Sequence, residues 1–171
     1  MPDVPDAPDA PPVAEGVRLP PMTPSAFEQW RSASVRGYAA DKVRVGAWPA
    51  DEAQARSERA FSELLPEGQA TPGQEIRSIV DPAGEVVGVV WFGPTGAIGS
   101  GEAFIWDIEI HERYRGRGLG RAALSALEPI VRGLGYGSIG LHVFGDNEIA
   151  RRLYRSSGYA ETDITMRKRL G

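Results

Sequence analysis

The apolar positions of this chain change period several times, and each change marks an element. From Thr23-Pro24 onward, Phe27, Trp30, Ser34, Val35 and Tyr38 recur at helical spacing, with Thr23 placed as N-cap and Pro24 at the first helical position. A second helix fits Ala50 to about Leu65, with Ala53, Ala60, Phe61 and Leu64 on one side and Pro66 and Gly68 ending it. Glu75–Val80 and Glu85–Phe92 then read as a hairpin closed by Asp81-Pro82-Ala83-Gly84. Gly93–Gly101 is a glycine-rich loop and Ala103–Ile110 a further strand. Helical period returns with Leu124, Leu127, Val131 and Leu134, to about Gly133; Pro129 inside this helix costs a hydrogen bond and is expected to bend or shorten it. Ser138–Phe144 reads as a strand, and Asp146 or Asn147 caps a short helix carrying Ile149, Ala150, Leu153 and Tyr154, ended by Gly158. One or two closing strands are expected over 159–170, and a short first strand at Val17–Leu19. On that count 103–110 is the fourth strand and 138–144 the fifth. Strand, helix and strand over 103–144 imply a parallel pair or crossover within a mixed sheet.

Before the first helix the pattern fails altogether. Pro2, Pro5, Pro8, Pro11 and Pro12 alternate with Asp3, Asp6 and Asp9, so residues 1–16 read as an extended, disordered tail before a single domain over 17–171. No apolar run reaches the roughly 18–20 residues of a membrane span, and the N-terminus lacks the basic and apolar regions of a secretory signal. A cytoplasmic protein is the expectation. With no cysteine, disulfides, thiolate metal sites and a cysteine nucleophile are excluded. Only His111 and His142 are available for a histidine-built metal site, and none is expected.

Charge adds a direction. Residues 1–110 carry 8 Lys/Arg against 17 Asp/Glu, whereas residues 111–171 carry 11 against 6. A basic C-terminal third suits a compact anionic ligand, while the acidic remainder would repel a long polyanion, so nucleic acid is not the expected partner.

The basic third contains the chain's most specific local motif, Arg115-Gly116-Arg117-Gly118-Leu119-Gly120, followed by Arg121. Glycines at alternate positions let backbone N–H groups approach a bulky anion. A helix starting near Gly118 aims its free N–H groups and the positive end of its dipole at the same place. Strand, glycine turn, helix and arginines together specify a phosphate or pyrophosphate. A dinucleotide fingerprint would need glycine where Arg121 stands, and a phosphate-binding P-loop would need Gly-Lys-Ser/Thr; neither is present.

These residues resemble the Gln/Arg-x-x-Gly-x-Gly/Ala signature of the GNAT superfamily of N-acetyltransferases. Leu141-His142-Val143-Phe144, then Asn147, Leu153-Tyr154 and Ser157-Gly158-Tyr159, are similar to that family's fifth strand and following helix. The resemblance is strongest over 75–170. It implies an α/β fold of the α+β kind: a central, mostly antiparallel sheet, fourth and fifth strands parallel and splayed, and helices on both faces. It also implies acetyl-CoA as cosubstrate. The pyrophosphate would lie on backbone amides of Gly116 to Arg121, its pantetheine arm along Ile108 and Ile110 of the fourth strand, with Asn147 bonding the arm or its neighbourhood. The activity implied is acetyl transfer to a primary amine by direct attack in a ternary complex; a non-catalytic acyl-CoA-binding module on the same fold is the alternative.

Acetyl transfer needs a neutral amine, a stabilised oxyanion and a proton for the leaving thiolate. Tyr154, at the position of the family's catalytic tyrosine, is the candidate acid, since an ordinary pKa of about 10 keeps it protonated at neutral pH. For the base, simple strand alternation puts Asp107 and Glu109 on one face with Ile105, and Trp106, Ile108 and Ile110 on the other. Glu109 is the first candidate and His142 the second; equally, Asp107 and Glu109 could serve only to bind a cationic substrate, and His142 could be a core histidine. The oxyanion donor would be a backbone N–H near Ile110. Tyr38, Trp48, Trp91, Phe104 and Trp106 are either core or the lining of the acceptor pocket. The acceptor is a small-molecule or peptide amine, and the acids near the cleft favour a cationic one. Exposed sheet edges are surfaces through which a homodimer could form.

Overall fold

The computed structural model describes residues 16–96, 101–168 and 170. The tail reading for 1–15 and the central part of the Gly93–Gly101 loop lie outside the described residues.

Helix α1 (Pro24–Arg44) starts where Thr23 accepts a hydrogen bond from the Ala26 N–H at 3.3 Å. Helix α2 (Ala50–Leu64) packs beside it, tied by the buried Ser57 hydroxyl donating to the Val35 carbonyl at 2.7 Å. Strands β1 (Glu75–Val80), β2 (Val86–Gly93), β3 (Glu102–Ile110) and β4 (Ser138–Leu141) form one sheet in chain order. The first two pairings are antiparallel and β3–β4 is parallel. Helix α3 (Leu119–Gly133) makes the crossover between the parallel strands, and α4 (Glu148–Ser156) follows β4. The mixed sheet has helices on both faces.

Each face has its own core. On one, Leu119, Ala123, Leu124, Leu127 and Val131 of α3 pack against Val87, Val90, Phe92 and Ile105. On the other, Phe27, Trp30 and Val35 of α1 and Phe61 of α2 pack against Ile76, Val89 and Trp91. Full burial of each large side chain contributes about 1.5–3 kcal/mol.

Strand β3 departs from simple alternation. Trp91 pairs with Asp107 but Phe92 pairs with Ile105, so Trp106 is an extra, bulged residue. The bulge reverses the expected faces. Ile105, Ile108 and Ile110 all join the α3 side, while Trp106 packs on the α1–α2 side, where Asp107 meets Trp30.

Other boundaries differ from expectation. The predicted strand over 138–144 ends at Leu141, because β3–β4 pairing stops at Ile105–Leu141, next to the bulge. The closing strands expected over 159–170 do not form among the described residues: Ile164, Met166 and Leu170 stand exposed with no ladder partner. Val17–Leu19 contributes one isolated bridge to β1, with Arg18 and Val80 exchanging two hydrogen bonds of 2.9 Å, rather than a full strand; a second bridge follows at Pro21. Pro129 is exposed and α3 continues through it to Gly133.

Candidate functional site

Two features converge where β3 ends. The first is the glycine turn. Gly116 and Gly118 have φ of 75° and 74°, left-handed values that disfavour any side chain. Gly118 is the N-cap of α3 and supplies no side-chain cap, so the amides of Leu119, Gly120 and Arg121 precede the first helical bond, Ala122 N–H to the Gly118 carbonyl at 3.1 Å. Gly120 has a further reason to be glycine: a Cβ there would come 3.0 Å from Leu153 of α4. The arginines are tied around this turn rather than across it. Arg115 donates to the Ile110 carbonyl at 2.9 Å, Arg117 to the Arg113 carbonyl at 3.1 Å, and Arg121 to the Ser156 hydroxyl at 2.9 Å.

The second feature is a cleft of about 150 Å³ opened by the divergence of β3 and β4. Ile105, Trp106, Asp107 and Ile108 line it from β3; Leu141, His142, Val143 and Phe144 line it from β4 and its continuation; Asn147, Ala150 and Tyr154 close it. Past Ile105 the β4-side edge of β3 has no strand partner among the described residues. That edge offers free N–H and C=O groups to an extended ligand.

Asp107 is the carboxylate inside the cleft. Burial holds its carboxyl above the ordinary carboxylate range; the hydrogen bond from the Trp30 indole N–H, 3.0 Å, opposes that, and the Glu109 charge adds to it. Tyr154 is also pushed above its ordinary range, first by burial and then by the Asp107 charge. The two groups therefore share one electrostatic environment.

Glu109, expected as the first choice of base, does not line the cleft. Its side chain is half exposed and pairs with Arg115 at 3.4 Å. Glu109 lies two residues farther along β3, on the same face as Asp107 but past the stretch of strand that lines the cleft. His142 is exposed and lines the cleft with its ring edge-on to Phe144 at 5.5 Å. Ile108 lines the cleft, but Ile110 does not; its carbonyl accepts from Arg115 and its side chain packs on the α3 side. Asn147 caps α4, its side chain accepting from the Ala150 N–H at 3.1 Å. The indole N–H of Trp106 is buried and meets no acceptor among the described residues.

Two participants escape sequence reasoning. Trp30 reads as a core residue at helical spacing, and nothing local shows that its N–H reaches 77 positions along to Asp107. Arg44, near the end of α1, pairs with Asp146 at 2.7 Å and stacks on Phe144 at 5.6 Å, which ties α1 to the segment after β4.

The chain matches the model of the acetyltransferase (GNAT) family over residues 41–159. It belongs to that family. Two Bacillus subtilis (strain 168) relatives are the uncharacterized N-acetyltransferases YycN, 36% identical over 90% of this chain and 99% of YycN, and YdgE, 37% identical over 89% and 97%. The crystal structure of YycN superimposes with a TM-score of 0.83 at 36% identity, covering 91% of this chain and 99% of that one. The GNAT chain described here is accordingly an acyltransferase.

Proposed function

We propose that this chain transfers the acetyl group of acetyl-CoA to a primary amine by direct attack, with both substrates bound together. The observation that carries the reading is a desolvated carboxyl, Asp107, and a half-buried phenol, Tyr154, lining one cleft beside a glycine turn of free amides. The residues present fit acetyl-CoA. Positive-φ glycines and uncapped amides at the start of α3 suit its pyrophosphate, and the unpaired edge of β3 suits its pantetheine arm. Acetyl-CoA supplies an activated acyl group on a thiol leaving group.

The chain's own residues then divide the proton traffic. Asp107, with its pKa above the usual carboxylate range, is suited to take the proton of an incoming ammonium at Oδ1, while Trp30 holds Oδ2. Tyr154 retains its proton across the neutral range and offers it to the departing sulfur. Absence of cysteine fits a mechanism without a thiol-linked enzyme intermediate. The test is release of CoA thiol from acetyl-CoA in the presence of amines. Turnover that survives Tyr154→Phe unchanged, or CoA binding without any turnover, would favour a non-catalytic acyl-CoA-binding module instead.

A further inference from the structure

Three aromatic rings, one of them the cleft-lining Phe144, meet around one ammonium. Tyr38 of α1 and Trp48 of the α1–α2 connection stand edge to face, 5.3 Å apart at 85°. Lys42 Nζ lies 5.1 Å from the Tyr38 ring centroid, 5.8 Å from that of Trp48 and 6.0 Å from that of Phe144. Phe144 also lines the cleft, so this one ring joins the Lys42 platform to the cleft wall. The ring faces replace part of the ammonium's hydration, but they carry no net charge. Among the described residues no Asp or Glu lies within 4.0 Å of that ammonium.

The acids near the cleft are already engaged. Glu109 pairs with Arg115, Asp146 with Arg44, and Asp107 is buried against Trp30. What remains is a polarity: one carboxylate inside the cleft and one cation without a carboxylate partner beside its Phe144 wall. A polycationic acceptor would bring like charge against Lys42. An amine with its own anion would satisfy both ends.

We infer that the acceptor is an amine that also carries a carboxylate, such as an amino acid or short peptide, and that Lys42 on its ring platform receives that carboxylate. This rests on the N-acetyltransferase reading above, and it replaces the sequence-based expectation of a cationic acceptor. Lys42 is thus a specificity-determining residue, acting on acceptor binding rather than on the acetyl group.

The test uses the full chain with acetyl-CoA and follows CoA thiol. Acceptors are the standard amino acids and glycyl dipeptides, each as free acid and as C-terminal amide, together with spermidine. Acids should be preferred over their amides, through KM. Lys42→Met, which keeps the stem on the rings, should raise KM for the acids about 10- to 100-fold, the worth of a charge-assisted hydrogen bond. It should leave amides within about threefold and the acetyl-CoA KM unchanged. The inference is overturned if no acid is acetylated, if amides match acids, if Lys42→Met affects both alike, or if it raises the acetyl-CoA KM instead. Calorimetry with acetyl-CoA separates the two levels. Failure to bind it removes the acetyltransferase reading itself. Binding with turnover of spermidine alone removes only the inference about the acceptor.

Discussion

Replacing Asp107 with Asn keeps the size of the side chain and an oxygen to accept from Trp30, but removes the charge and the basicity. If Asp107 is the base, kcat/KM should fall by about 10²- to 10⁴-fold, roughly 2.7–5.5 kcal/mol of transition-state stabilisation. The pH profile supplies the sharper readout. Burial holds the Asp107 pKa above the ordinary carboxylate value, so wild-type activity should drop as pH falls through a limb lying above about 4, and the variant should lose that limb. Stability moves the opposite way. Folding penalises the ionised form of a carboxyl whose folded pKa is raised. The penalty is absent below the unfolded pKa of about 3.9, grows as pH rises toward the folded pKa, and is constant beyond it. Each tenfold change in acidity imposed by folding is about 1.4 kcal/mol. Asp107→Asn should therefore be more stable than wild type at pH 7 in denaturant titrations, with the gap closing toward pH 4. Activity within tenfold of wild type, an unmoved acid limb, or a variant less stable at pH 7 would refute the reasoning.

Further outcomes are expected. Glu109→Gln should change kcat/KM less than about threefold, because its carboxylate pairs with Arg115 at a half-exposed position where such pairs contribute about 0–1 kcal/mol; steady-state kinetics beside Asp107→Asn decide between the two acids. Tyr154→Phe should lower kcat by about 10²-fold with acetyl-CoA affinity kept, and since its pKa is raised by burial, no loss of activity from its ionisation should appear below about pH 10. Gly88→Ala would drive a Cβ into the Glu109 carbonyl across the β2–β3 ladder; overpacking against backbone should cost about 3 kcal/mol, a Tm fall of roughly 6–12 °C by calorimetric melting.

Local signals carried much of the fold. Thr23-Pro24, the Asp81–Gly84 turn, Asn147 as a cap and Gly158 after α4 are all readable because the residue that makes each feature lies within a few positions of it. The glycine turn is legible for the same reason. The face on which Asp107 lies is not. It depends on the bulge at Trp106, which is set by pairing with Trp91 and Phe92 on another strand, and one inserted residue reverses every assignment beyond it. Alternation leaves Asp107 and Glu109 on one face, and only the place where β3 and β4 part shows that the cleft reaches Asp107 and not Glu109. The early end of β4 has the same origin, since its partner strand bends away. At the C-terminus, Ile164, Met166 and Leu170 do alternate with polar residues, but alternation identifies a strand only where an edge is there to receive it. The ring platform around Lys42 joins α1, the α1–α2 connection and the segment after β4, three pieces that no local pattern links.

The central claim is that the turn before α3 and the splayed edge of β3 hold acetyl-CoA. Calorimetric titration of acetyl-CoA into the full chain, beside Gly118→Ala, tests it most directly. Gly118 has φ of 74°, so alanine there strains the turn by about 1–2 kcal/mol and displaces the amides behind it. Saturable one-to-one binding, competed by CoA and weakened about tenfold or more in Gly118→Ala, is the predicted result. No saturable binding, or the same affinity in both proteins, would contradict the account.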